Sequence, residues 1–198
     1  MKRALVTTLA VFLFAGALPS AQKAADDQTA EDIRQALLRL PYYGVFDFLA
    51  FQYEKGTVTL SGFVYQPSLK REVLSAVKRV SRVDGVIDKI EDLPVSHNDD
   101  RIRWQTFYQI YNDSSLSRYA PGGGLSRFDR RFDLRRYPGM QPFGTYPIHI
   151  IVQGGRTLLL GAVDSEFDKT IASVRAREIP GTFGVENELV VTSAARTR

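Results

Sequence analysis

The chain has no cysteine and only two histidines, His97 and His149, among its 198 residues. Disulfides are therefore excluded, and the fold must be held by core burial alone. An acyl anchor on an N-terminal cysteine is excluded for the same reason. No serine stands in a Gly-x-Ser-x-Gly elbow, and Gly122-Gly-Gly124 lacks the Lys-Ser/Thr of a phosphate loop, so it reads as a hinge. Isolated carboxylates such as Glu72 and Glu178 fall on expected helix surfaces. His97 is followed by Asn98, Asp99 and Asp100, but adjacent carboxylates in a linker lack the spaced geometry of a metal site, so this stretch reads as a polar linker and helix cap. His149 alternates with Ile148 and Ile150 and is expected on the outer face of a sheet. No catalytic constellation, cofactor or metal site is expected.

Long apolar runs are equally scarce, and the one that exists lies at the start. Lys2 and Arg3 precede an apolar stretch from Ala4 to Leu18, which is followed by Pro19-Ser20-Ala21-Gln22. This is the order of a charged region, a hydrophobic region and a small-residue exit, so residues 1–21 are expected to be a cleaved signal peptide. The run falls short of the ~20 residues of a comfortable span, and no basic stop follows it. Ala15-Gly16-Ala17 and Pro19-Ser20-Ala21 are alternative cleavage sites. No later segment is long enough to cross a bilayer, and the remaining roughly 175 residues suit one or two small domains.

Charge is unevenly spread. Between Arg101 and Tyr146 eight arginines stand against three aspartates, although the whole chain carries only +4. With Lys2 and Arg3 also set aside, the rest of the chain is acidic. The same segment holds ten of the twenty-two aromatic residues, and Arg127 to Tyr137 interleaves the two kinds.

An internal repeat orders the remainder. Gly56-Thr-Val-Thr-Leu-Ser-Gly62-Phe-Val64 superimposes on Gly155-Arg-Thr-Leu-Leu-Leu-Gly161-Ala-Val163 at an offset of 99, which also places Lys70 on Lys169 and Gly85-Val86 on Gly184-Val185. In the first copy, Thr29-Ala-Glu-Asp32 is a capping box, and Ile33, Ala36, Leu37 and Leu40 form an apolar stripe that Pro41 stops. Phe46 to Tyr53 and Thr57 to Val64 read as a hairpin, with Gly62 marking a close backbone approach, expected to be to a packed helix. Pro67 opens a second helix carrying Leu69, Val73, Ala76, Val77 and Val80, and Val86, Asp88 and Ile90 alternate as a third strand. The second copy repeats this order. A helix carries Ile102, Trp104, Phe107, Tyr108 and Tyr111, and the hairpin is Ile148–Val152 with Thr157–Val163. Glu166–Ile179 is the second helix, and Val185 to Val191 closes the unit. An insert of about thirty residues, at about 112–146, separates its first helix from its hairpin. The fold class is α+β: two α-β-β-α-β units, each a three-stranded sheet with two helices on one face. Expected boundaries are 22–28 for a flexible N-terminal segment, 29–95 and 96–192 for the units, and 193–198 for a flexible tail.

The strand pattern Gly-x-Val-x-Leu-x-Gly-x-Val, set between two helices and followed by Gly-Val and an alternating strand, resembles the BON domain. That family is bacterial, mostly periplasmic or envelope-associated, often in tandem, and regarded as phospholipid-binding. The second copy departs from the pattern through its insert and through Thr157, which stands where the first copy has Val58. The resemblance implies an exported, non-enzymatic protein of the periplasm or cell envelope that associates with phospholipid and supports envelope integrity under stress. A protein-binding adaptor of an envelope or secretion assembly is the alternative. Gly56, Gly62, Gly85, Gly155, Gly161 and Gly184 are the expected structural glycines.

Two readings of the insert stay open. Phe128, Phe132, Tyr137, Phe143 and Tyr146 pack it onto its own domain with the arginines solvated, or it rests on an anionic membrane surface, where basic residues and aromatic rings both settle. Nucleic acid as partner is disfavoured by export. On the membrane reading the lipid contacts are Arg101, Arg103 and Trp104 on the second unit's first helix, with Arg130, Arg131, Arg135 and Arg136 in the insert.

Overall fold

The computed structural model describes residues 19–120 and 146–192. The hydrophobic run of the expected signal peptide, the insert from 121 to 145 and the last six residues lie outside the described residues. In the first unit α1 (Pro19–Leu38) is followed by β1 (Phe48–Glu54), β2 (Thr57–Val64), α2 (Pro67–Lys78) and β3 (Gly85–Asp92). In the second, α3 (His97–Tyr111) leads through a 3-10 turn at Ser117–Tyr119 to β4 (Ile148–Gln153), β5 (Arg156–Val163), α4 (Glu166–Arg177), β6 (Gly184–Asn187) and β7 (Val190–Val191). In each sheet the central strand, β2 or β5, pairs antiparallel with its hairpin partner and parallel with the strand reached through the crossover helix.

The first core shows why these segments fold as they do. Val58, Leu60 and Val64 share one face of β2 because strand side chains alternate, and Leu69, Val73 and Val77 recur at four-residue intervals on α2. Together with Ile33 and Leu37 of α1 and Ile90 of β3 they form one buried cluster.

Helix α1 begins ten residues before the capping box. Thr29 is not a cap: its hydroxyl donates to the Ala25 carbonyl at 2.8 Å, four residues back inside the helix. The stretch at 22–28, expected to be flexible, is helical, because alanine and glutamine favour the helix and Gln22–Asp26 and Gln28–Asp32 pair at four-residue spacing.

Two backbone hydrogen bonds that frame the central strand recur at the offset of 99. Asp84 N–H donates to Gly56 O and Phe183 N–H to Gly155 O, at 2.7 and 2.8 Å; Leu93 N–H donates to Val64 O and Thr192 N–H to Val163 O, both at 2.9 Å. Gly62 and Gly161 have φ of +123° and +119°, and a Cβ on either would lie 2.0 Å from a carbonyl oxygen, that of Phe48 or Pro147. The close approach is therefore to the neighbouring strand and not to a helix. Gly85 and Gly184 have no such constraint, since an added Cβ there meets nothing closer than 3.4 Å. The third strand of the second unit, read as continuous, is interrupted at Glu188–Leu189, although β7 keeps the register of β6 on β5.

The two units share side chains. Phe46, expected in β1, precedes that strand and is fully buried in the second unit's core, edge-on to Trp104 at 5.4 Å and to Phe107 at 6.3 Å. Ile150 N–H donates to Val45 O at 2.8 Å, so the loop before β1 closes the outer edge of β4.

Candidate functional site

The expected contact residues on α3 do not share one surface. Trp104 is only 6% exposed and stacks on Tyr108 within the second core. Arg103 is fully buried. Its guanidinium donates to Asp100 Oδ1 at 2.6 Å and to the Val152 carbonyl, and it lies 5.1 Å from the centre of the Tyr65 ring. Both are therefore corrected from lipid contacts to core residues: the buried arginine is tolerated because both of its terminal nitrogens are paired and its plane lies over an aromatic ring, while Nε has no partner among the described residues. Arg101 alone is exposed, and it reaches Asn98, Gln105 and the Pro180 carbonyl. Arg130, Arg131, Arg135 and Arg136 lie outside the described residues.

The polar groups at the ends of α3 are spent on structure. The Asp99 carboxylate accepts from the amides of Gly154 and Gly155 at 2.9 and 2.8 Å, gripping the β4–β5 turn. Below the root of the insert, buried Asp168 accepts from Ser165 Oγ, Tyr119 Oη and Arg118. Burial alone would raise its carboxyl, but these hydrogen bonds outweigh it and hold the group below the ordinary carboxylate range. Asp113 behaves alike: burial is overcome by Arg175, whose Nε donates at 2.8 Å, and by the Ser115 amide. These contacts fasten the 112–120 stretch to α4.

His149 occupies the sheet face opposite the helices, as its alternation implied, but that face is covered. Tyr43 and Phe48 of the first unit flank the ring at centroid distances of 5.4 and 5.5 Å. Burial pushes its pKa down to about 4, against the pull of the Asp47 and Gly44 backbone. It is a packing residue of the junction.

What remains with recognition chemistry is a groove of about 700 Å³ between the end of α1 and the outer face of α2. Arg39, Arg71 and Arg79 rim it, with Glu72 as the one acid, over a floor of Ala36, Leu40, Pro41, Ala76 and Val80. Arg79 donates to Ser75 Oγ at 3.0 Å, whereas the guanidinium groups of Arg39 and Arg71 have no partner among the described residues. Helical spacing brings this about: Ser68, Arg71, Ser75 and Arg79 recur at three and four residues along one face, and Arg39 faces them from just beyond α1. Three planar guanidinium groups above apolar carbon suit a phosphate with an apolar body attached. In the sequence these arginines are outweighed by the density of charge in the insert. The spacing on α2 was the available signal.

Among the described residues no cluster of three potential metal ligands occurs, and no helix is long and apolar enough to cross a membrane.

Comparison with known proteins gives one strong result. The model of the BON domain matches residues 25–91 and 136–193. No curated protein matches. Among solved structures, CdsD, a structural protein of the type III secretion system of Chlamydia trachomatis, aligns at 16% identity over 83% of this chain and 92% of its own, with a TM-score of 0.28. The C-terminal domain of CdsD aligns at 16% identity over 82% of this chain and 96% of its own, with a TM-score of 0.27. Scores this low carry no argument about role.

Proposed function

Since the chain belongs to the BON-domain family, in which it carries two copies, we propose that it is an exported, non-enzymatic binding protein attached to anionic phospholipid of the cell envelope. The observation that carries this reading is the groove of the first unit, with three arginines over an apolar floor. A basic side chain near an anionic surface contributes ~1 kcal/mol, so three acting together contribute ~3 kcal/mol, on the order of a hundredfold in affinity. Arg101 and the arginines 130, 131, 135 and 136 add charge from the second unit. Arg103 and Trp104 act only by holding the core. Attachment of this kind supports envelope integrity under stress.

Co-sedimentation of the full chain with vesicles tests the proposal. Binding to anionic vesicles, absent with neutral ones and weakened by salt, is the expected outcome. Equal recovery with both vesicle types, or with neither, contradicts it.

A further inference from the structure

We propose that the outer edge of β1 is a docking site where an extended, basic segment of a partner protein adds a strand to the first sheet. The two-residue turn Lys55-Gly56, with φ of +47° and +82°, makes Glu54 and Thr57 a hydrogen-bonded pair. Alternation then directs the main-chain groups of Gln52, Ala50 and Phe48 to β2 and those of Tyr53, Phe51 and Leu49 outward. Phe51 and Tyr53 have no main-chain partner on their outer side among the described residues.

The other sheet edges are protected. Val45 closes β4, and β6 and β7 are short and interrupted. The strand β3 carries exposed Asp88, Lys89, Glu91 and Asp92, a charge pattern that discourages pairing. By contrast β1 carries no charge from Phe48 to Tyr53.

The open edge also has a wall. Helix α1 runs beside it and leaves a trough of about 570 Å³ lined by Leu37, Leu38 and Tyr53, with Leu38 52% exposed. A strand added there hydrogen-bonds along one side and sends alternate side chains toward the helix, so apolar residues are wanted at every second position. Asp26 and Asp27 line the trough without a cationic partner among the described residues, and Arg34 is engaged 3.7 Å away by Glu31. The occupant is therefore basic at the end that meets these aspartates.

The experiment is residue-resolved hydrogen exchange on the full chain, alone and with three synthetic octapeptides that alternate valine and threonine. The first ends in two arginines, the second in two glutamates, and the third is the first with a central proline. Fast exchange at Phe51 and Tyr53 in the free chain, slowed at least tenfold by the arginine peptide, is expected. The glutamate peptide should bind about tenfold more weakly, the proline peptide should give no protection, and Asp26→Asn/Asp27→Asn should abolish the preference for arginine while leaving pairing intact. Protection already present in the free chain, protection by the proline peptide, or none with any peptide overturns the proposal. The exchange experiment contains no lipid and the vesicle experiment no peptide, so this result and the phospholipid reading stand or fall separately.

Discussion

Single residues show where local sequence is decisive and where it is not. Gly62 was legible as a constrained position, and the structure supplies the cause: positive φ and a carbonyl where a Cβ would sit. Gly62→Ala is expected to cost about 3 kcal/mol or more, while Gly85→Ala costs less than about 1 kcal/mol, as read from urea unfolding midpoints. Arg103 was misread because the groups that bury it, such as Tyr65, come from the other unit and leave no trace in the pattern of α3 itself. His149 makes a prediction about pH. Its folded pKa of about 4 lies below its ordinary value of 6.5, so the unfolded chain binds the extra proton. Its contribution is therefore complete above pH 6.5 and lost as pH falls to about 4, to the extent of ~3 kcal/mol. Unfolding free energy measured across that window should decline in the native chain and stay nearly flat in His149→Phe. Asp113 and Asp168, held below the ordinary 3.8, lose their contributions only at lower pH and do not blur the window.

At the level of elements, both hairpins and both crossover helices were legible, because glycine placement and side-chain periodicity are local properties. The start of α1 was not. A capping box offers two hydrogen bonds, but the alanine- and glutamine-rich stretch before it propagates the helix, and Thr29 then bonds backwards instead. The polar run from His97 to Asp100, read as a linker and helix cap, is instead the first turn of α3, with Ser96 as the cap; its tie to the β4–β5 turn spans over fifty residues and leaves no local trace. Asp99→Ala removes both acceptors for the Gly154 and Gly155 amides. About 2 kcal/mol of stability should be lost, with exchange at those two amides accelerating before the rest of the sheet. A variant that retains their protection contradicts this role.

Across the whole molecule, the repeat predicted two units but not their fusion. Val45 and Phe46 leave the first unit to complete the second, so the pair is not two beads on a linker. Phe46→Ala leaves a cavity among Trp104, Phe107 and Tyr65 and should cost about 3–5 kcal/mol. Amide exchange should rise mainly in α3 and β4, far along the chain from the substitution; a rise confined to the first unit would mean the two cores are separate. The candidate site followed the same division between local and non-local information. The insert's charge was plain in the sequence, whereas the basic groove needed α1 and α2 to be packed together before its three arginines met.

The central claim is that this groove recognises anionic phospholipid. Its most direct test is vesicle affinity of the native chain beside two variants, Arg39→Gln/Arg71→Gln/Arg79→Gln and Arg130→Ser/Arg131→Ser/Arg135→Ser/Arg136→Ser. The account predicts that the first variant loses about a hundredfold in affinity for anionic vesicles while keeping the native unfolding midpoint. Native affinity in that variant, whatever the second one does, would contradict it.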